Sequence, residues 1–224
     1  MIKNISNLGD AALYCDFGKE VNKEINLEVV KYFKNLKQNK ITGVTNIVPS
    51  YNKLIIVFDL KKTNFNIVKK EVEAIKIENL KLQTNKVVKI PICCNEEYAL
   101  DISRLEKKLK KSEDEIFESF FSKDYYCYMT GFIAGMPFLG DIDKSLRTNR
   151  LSTPRVKVPQ GSIGLTEQFC NIYTFESPGG WNIIGNTPIK IFNQYNSTNP
   201  TLINPGDKVV FYKITKKEYL NFND

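Results

Sequence analysis

Histidine is absent from the 224 residues of this chain. Its absence excludes Ser-His-Asp and Cys-His nucleophile systems and every zinc site that uses a histidine ligand. Any proton transfer must therefore use carboxylates, lysine, tyrosine, cysteine or water. No regular metal-ligand spacing is visible either, so we expect no metal site.

Cysteines are few, and long apolar runs are missing. The five cysteines form no C-x-x-C pair, and Cys93 and Cys94 are adjacent, which is poor geometry for a disulfide. We therefore expect reduced, mostly buried thiols. No apolar run approaches the ~18 residues that cross a bilayer, and the first residues lack the apolar segment of a signal peptide. These features predict a cytoplasmic protein with no membrane partner.

Arginine is also scarce, although the net charge is +7. Nearly all of the positive charge is lysine scattered among acidic residues. Nucleic-acid-binding proteins concentrate basic residues on one surface and interleave them with aromatic residues. The composition therefore predicts no nucleic-acid partner, and its 42% hydrophobic content is typical of a globular protein with a substantial core.

Residues 1–94 alternate between strand-like and helix-like patterns, which predicts a ferredoxin-like α+β domain. One helix is expected over 22–39, and a second is marked by Val68, Val72, Ile75 and Leu80. The β-α-β-β-α-β order is completed by strands at 11–17, 44–48, 54–60 and 86–92.

Residues 95–224 are predicted to form a second domain, a β-barrel with a short helical entry. Two short helices are expected within 98–121, the second opened by a capping box of Ser112 and Glu115. From Tyr125 onward, short β-rich runs separated by glycine and proline indicate a barrel or a sandwich.

The run GFIAGMPFLG (131–140) is rich in glycine but is not a phosphate loop, because no lysine and Ser/Thr pair follows Gly140. A tight apolar loop that lines a pocket is the better interpretation.

Three of the four arginines, Arg147, Arg150 and Arg155, lie within nine residues. Arginine suits bidentate recognition of a carboxylate or phosphate, although a solvated surface loop is an equally good interpretation. Arg155 is the preferred candidate, because Pro154 fixes the backbone just before it.

The run ESPGGWNIIGNTP (176–188) begins with Glu176 and Ser177 and continues through a proline, two glycines and the single tryptophan, Trp181. Its glycines permit close approach of a ligand, and Trp181 can stack on a ligand or fill the barrel core. Ser177 is a weak nucleophile candidate without a histidine, and a purely structural hairpin stays an alternative.

These runs, with VPQGSIG, NPGDKVVFYKI and the early GDAALYCDFG and IVPSYNKLIIVFD, resemble the family of the B-type subunit of 5-oxoprolinase, also called KipI-type or allophanate hydrolase subunit 1. The resemblance implies a ferredoxin-like domain followed by a cyclophilin-like barrel. It also implies a C-type partner that completes a carboxyltransferase-type module, and a third subunit. The complex opens 5-oxoproline to glutamate with ATP, which we expect another subunit to bind because no nucleotide motif occurs here.

The resemblance also implies a pocket for a small anionic amide. We expect Arg155 to face its carboxylate, the Gly179 and Gly180 amides to face an oxyanion, and Glu176 or a tyrosine to transfer protons, with Ser177 as a third catalytic candidate. The other substrate-binding candidates are Gly131, Gly135, Pro137, Pro154, Gln168, Pro178 and Trp181. The chain would be a hydrolase subunit that is inactive alone. An allophanate hydrolase or urea amidolyase subunit, and a non-catalytic KipI-type inhibitor of a histidine kinase, stay open as alternatives.

Overall fold

The structure is a computed structural model and describes residues 1–76 and 86–222. The chain divides into two compact units, Met1–Asn85 and Lys86–Asp224. Each unit has its own sheet and its own cluster of buried apolar side chains.

Among residues 1–76, the N-terminal unit contains four strands and two helices. They are β1 (Asn4–Asn7), β2 (Ala12–Asp16), α1 (Lys23–Gln38), β3 (Val44–Pro49), β4 (Lys53–Phe58) and α2 (Phe65–Glu73). The strands form an antiparallel sheet in the order β1-β2-β4-β3.

Asparagine begins both helices of this unit. The side-chain oxygens of Asn22 and Asn64 accept hydrogen bonds from the backbone N–H groups three residues later, at 2.9 and 3.1 Å. These bonds satisfy donors that a helix start leaves unpaired. The buried faces of the helices pack with the sheet in one core that includes Val29, Val68 and Leu54.

The ferredoxin-like prediction for residues 1–94 is not confirmed. The segment 86–92, predicted as its closing strand, forms β5 (Val87–Cys93) and pairs within the second unit instead. The sheet position beside β2 is filled by β1, a strand absent from the predicted order. The division after Asn85 therefore precedes the predicted boundary at residue 94. An apolar strand pattern predicts which face of the strand is buried, but it does not specify which strands will pair with it. Leu80, which was predicted to belong to the second helix, lies outside the described residues.

The second unit contains a closed seven-stranded barrel, which confirms the predicted barrel. Its other strands are β6 (Asp124–Thr130), β7 (Pro137–Gly140), β9 (Ser162–Thr166), β10 (Phe169–Ile172), β12 (Asn182–Asn186) and β13 (Lys208–Ile214). The order around the barrel is β10-β7-β6-β13-β5-β12-β9, and β13 and β5 form its parallel pair.

Two short helices, α3 (Ile102–Leu109) and α4 (Glu113–Phe121), precede β6, as predicted. The predicted capping box is present: Ser112 Oγ accepts from Glu115 N, and Glu115 Oε2 accepts from Ser112 N at 2.7 Å. A third helix, α5 (Lys216–Leu220), follows β13. Each helix within residues 1–76 and 86–222 is too short or too polar to span a lipid bilayer.

A two-stranded ribbon, β8 (Arg155–Val158) paired with β11 (Ser177–Gly179), stands apart from the barrel ladder. Val158 of this ribbon packs with Met136, Tyr173 and Ile183 in a small apolar cluster that is separate from the barrel core. The ribbon therefore adds a second packed layer on the outside of the barrel.

All five cysteines are free and buried, which confirms the expected thiol state. Burial raises the pKa of Cys94 from 9.0 to about 12, so this thiol is held in its protonated, unreactive form.

Candidate functional site

A cavity of about 440 Å³ lies between the outer face of the barrel and the ribbon β8–β11. Its walls are mainly aromatic and apolar, with one arginine and one asparagine. The lining comprises Phe132, Met136, Phe138, Arg150, Pro154, Asn171, Tyr173, Pro178, Gly179, Gly180 and Trp181. Apolar walls with a few polar groups are typical of small-molecule sites.

Alternation along β10 and the residue that follows it places Asn171 and Tyr173 at this cavity. Successive side chains of an extended segment point to opposite faces. Cys170 and Ile172 of β10 belong to the barrel core, whereas Asn171 and Tyr173 line the outer cavity. The short run NIY (171–173) therefore contributes two side chains to the lining of the cavity.

Gly164 on β9 makes room for the Asn171 side chain. A Cβ atom at Gly164 would lie 2.5 Å from Asn171 Oδ1 and 2.9 Å from Trp181 Cβ, closer than real contacts allow. Asn171 is 2% exposed, and its Oδ1 has no hydrogen-bond partner among the described residues. A buried acceptor without a partner is energetically costly. Asn171 Oδ1 would therefore stabilise a ligand that donates a hydrogen bond to it at the floor of the cavity.

The Tyr173 hydroxyl packs against Gly179 of the ribbon, where any side chain would collide with it. Burial raises the pKa of Tyr173. The Asn171 side chain, the Trp181 backbone and the charges of Arg150 and Arg155 oppose this effect but do not overcome it. Tyr173 is therefore neutral at physiological pH and can donate a proton to a hydrogen bond.

Trp181 and Phe138 form one wall, with their rings in an edge-to-face arrangement at 5.6 Å. Arg150 is the one cationic residue among the described residues that line the cavity. The Leu151 N–H donates to Gly180 O at 2.7 Å, which holds the Arg150 segment against the end of the ribbon.

Arg155 does not line the cavity. Its guanidinium donates two hydrogen bonds to the Asp101 carboxylate, at 2.9 and 2.8 Å. Asp101 is 4% exposed and also accepts from the Ile183 N–H at 2.7 Å. Arg104 lies 3.7 Å from the same carboxylate. The preferred anion-binding candidate is thus paired within the chain, and this pair ties the ribbon to α3 and β12.

The other two catalytic candidates lie outside the cavity lining as well. Glu176 is exposed and forms an ion pair with Lys157 at 3.0 Å. Ser177 lies opposite Val158 in the ribbon, and its Oγ is buried without a hydrogen-bond partner among the described residues. The structure does not bring Arg155, Glu176 and Ser177 together around one cavity.

Several predicted binding residues do meet there, and others do not. The cavity lining includes Pro154, Pro178, Gly179, Gly180 and Trp181. Gly131 and Gly135 are not in the lining, although each is next in sequence to a lining residue, Phe132 or Met136. Pro137 is buried in β7, and Gln168 lies in the turn between β9 and β10, where its carbonyl accepts from the Ile142 N–H at 3.1 Å.

Sequence reasoning missed Asn171, Tyr173 and Phe138, and it ranked Arg150 below Arg155. The alternation of Asn171 and Tyr173 around Ile172 was an available signal, because one apolar residue between two polar ones indicates opposite faces. The local sequence favoured Arg155 through Pro154, whereas the pairing of Arg155 depends on Asp101, which is 54 residues away.

Within the described ranges, no group of three or more histidine, cysteine, aspartate or glutamate side chains is placed to hold a metal ion.

The architecture is that of a known class. The chain belongs to the family of the carboxyltransferase domain, subdomain C and D, whose model matches residues 3–203. It is 31% identical over 227 residues to the B-type subunit of 5-oxoprolinase from Bacillus subtilis (strain 168), covering 96% of this chain and 94% of that protein. The resemblance to this 5-oxoprolinase family is therefore confirmed.

Longer proteins contain the same domain. The crystal structure of TTHA0988 superposes with a TM-score of 0.81 at 26% identity, covering 92% of this chain but only 40% of that one. The urea amidolyase of Saccharomyces cerevisiae is 22% identical over 245 residues, which cover 94% of this chain and 13% of that protein.

Proposed function

We propose that this chain is the B-type subunit of an ATP-dependent 5-oxoprolinase complex, which opens 5-oxoproline to glutamate. The observation that carries the proposal is the near full-length similarity to the corresponding 5-oxoprolinase component of Bacillus subtilis, at 31% identity over 96% of the chain. The chain is inactive alone and requires a C-type partner and a third subunit. The occurrence of the domain as 40% of a longer chain supports a role beside further domains.

The cavity between the barrel and the ribbon is lined by side chains that suit 5-oxoproline, a small planar lactam that carries a carboxylate. The faces of the lactam ring pack against Trp181, Phe138 and the prolines at the ribbon. Such walls favour a flat ligand and exclude water from it.

Arg150 is the residue that we assign to the substrate carboxylate. It lines the cavity, and no ion pair to Arg150 is present among the described residues. Arg155, in contrast, is neutralised by Asp101. A guanidinium that is free to bind a carboxylate donates a charge-assisted hydrogen bond, which is stronger than a neutral one.

Ring opening breaks the lactam C–N bond, adds a water oxygen to the carbonyl carbon and leaves the nitrogen protonated. Charge develops on the carbonyl oxygen in this step, and preorganised donors there lower the barrier. The Gly179 and Gly180 amides and the neutral Tyr173 hydroxyl are the donors that we assign to it. Glu176 and Ser177 lie outside the lining, so we give them no step.

The residues of this cavity do not fit ATP. Triphosphates are held by several cations and by glycine-rich loops at helix starts, whereas Arg150 is the single cation of this described lining. ATP supplies the free energy that an unactivated lactam lacks, and we expect another subunit to bind it. This chain binds and orients the substrate.

The test is co-expression with the genomic neighbours, followed by purification of the assembled complex. ATP-dependent release of glutamate from 5-oxoproline is the expected result. An assembled complex that releases nothing from 5-oxoproline would overturn the proposal.

The same complex distinguishes the alternatives. The urea amidolyase relative favours an allophanate-type activity as the second candidate, which predicts release of ammonia and carbon dioxide instead. A KipI-type kinase inhibitor predicts binding to a histidine kinase and no turnover in any assembly.

A further inference from the structure

Phe132 occupies an unusual position at the mouth of the cavity. Its side chain is 74% exposed, whereas Tyr173 in the same lining is buried. A single exposed apolar side chain is ordinary on a protein surface, but this one lines a cavity, where contact with a bound ligand would remove its ring from water. Phe132 lies between β6 and β7, on a loop that has no other aromatic residue.

The backbone of Phe132 is strained. Its φ angle is 69°, and the Ile133 N–H donates to Gly131 O at 2.9 Å, which closes a three-residue turn around it. A γ-turn with a positive φ at its central residue is rare and unfavourable, and a bulky L side chain makes it worse. A glycine would adopt this turn without that cost.

Among residues 1–76 and 86–222, the two other non-glycine residues with positive φ have ordinary explanations. Lys110 caps the C-terminal end of α3 in the left-handed conformation common at helix ends. Glu167 lies in the two-residue turn between β9 and β10. Phe132 has neither explanation, so its strain calls for a functional one.

The rest of the loop is fixed in place, and this is what maintains the strain. The Thr174 hydroxyl donates to Ala134 O at 2.8 Å, and the Gly131 N–H donates to Met136 O at 3.0 Å. The Phe192 ring packs into the space that a side chain at Gly135 would occupy. With both sides of the turn anchored, the backbone keeps Phe132 in the lining of the cavity.

We propose that Phe132 is a substrate-binding residue that covers the lactam ring in the cavity, and that the anchored turn holds it there at the expense of stability. This inference rests on the proposed function, because the cavity is the site assigned to 5-oxoproline. Binding buries the ring of Phe132 against the substrate.

The strain is tested by a pair of variants, Phe132→Gly and Phe132→Ala. Both remove the ring, but only alanine keeps the Cβ atom that the turn disfavours. We expect the glycine variant to melt roughly 2–4 °C above the alanine variant. Val156, which is 81% exposed on β8 and outside the lining, provides the matched control. At Val156 we expect the alanine variant to melt above the glycine variant, because glycine weakens a strand relative to alanine.

The binding role is tested by titrating the 224-residue chain with 5-oxoproline and following the fluorescence of Trp181, the single tryptophan. We expect both Phe132 variants to raise Kd by about threefold to tenfold, the loss typical of one aromatic contact. Phe132→Tyr retains the affinity, and the Val156 variants bind like the wild type.

Each result decides the matter. If both Phe132 variants bind 5-oxoproline as tightly as the wild type does, the binding role of Phe132 is overturned, and the proposed function stays intact. Absence of 5-oxoproline binding to the wild type overturns the assignment of the cavity and this inference with it. If the Phe132→Gly variant is less stable than the Phe132→Ala variant, the claim that the Phe132 turn is strained is overturned.

Discussion

Arg155 and Asp101 are 54 residues apart in the sequence and form a bidentate ion pair at 2.8 and 2.9 Å. Asp101 stands immediately before α3, and Arg155 begins β8 of the ribbon. The pair therefore fixes one wall of the cavity to the body of the barrel, although neither residue lines the cavity.

Arg155→Ala is expected to destabilise the second unit rather than to act on the substrate alone. The change leaves the buried Asp101 carboxylate without its bidentate partner, which costs about 3 kcal/mol, the lower end of the range for a broken buried ion pair. Urea unfolding followed by Trp181 fluorescence measures the loss. Lys157→Ala on the same strand is the control, because its exposed pair with Glu176 contributes under about 1 kcal/mol. Equal effects of the two changes would contradict the structural role of Arg155.

Gly179→Ala is expected to displace Tyr173 and reshape the cavity. The new methyl group would overlap the Tyr173 hydroxyl, and such overpacking costs about 1–3 kcal/mol. Gly180→Ala is the matched neighbour, since its nearest contact would be an ordinary 3.5 Å to Arg150 Nε. Neither glycine has a positive φ, so the difference is one of space. The Trp181 emission spectrum should shift in the first variant only; a similar shift in both would count against this packing.

Arg150→Ala in the assembled complex is expected to raise KM for 5-oxoproline by about tenfold to a hundredfold, with a smaller effect on kcat. This range corresponds to the loss of one hydrogen bond to a charged group. Arg147→Ala, three residues earlier, removes the same charge from a residue outside the lining and should leave KM unchanged. If the two variants behaved alike, the effect would be one of overall charge.

Stability of the second unit is expected to fall above pH 9. Burial is the largest cause of the rise in the Cys94 pKa from 9.0 to about 12, and Lys213 opposes it. The unfolded chain releases this proton at lower pH than the folded chain does. The stabilisation is therefore complete below pH 9 and is lost between pH 9 and about 12.

Urea unfolding at pH 8 and pH 10 measures this loss, which amounts to about 1 kcal/mol from Cys94 at pH 10. Cys94→Ala is the control, because it removes this titration while the other groups stay. The stability difference between wild type and variant should shrink by that amount at pH 10. A difference that is constant with pH would show that Cys94 does not contribute.

Local elements were predictable because their signals are local. The apolar spacing of α1, the capping box of Ser112 and Glu115 and the short β-rich runs after Tyr125 all appear as predicted. Each depends on residues within a few positions of one another. The strand 86–92 was predicted correctly as a strand but was assigned to the wrong sheet, because its partner β13 lies more than a hundred residues away.

The family, the kinds of element and the segments that meet at the cavity could be recognised from the amino-acid sequence, because these depend on motifs and on periodicity. Which arginine faces the cavity depends on the tertiary fold. Arg150 and Arg155 are chemically identical, and the distant Asp101 neutralises one of them. Closure of the barrel also brings Asn171 and Tyr173 next to Trp181, because it places β9, β10 and β12 side by side. Contacts between residues far apart in the chain set the charge and shape of this site, and no local pattern encodes them.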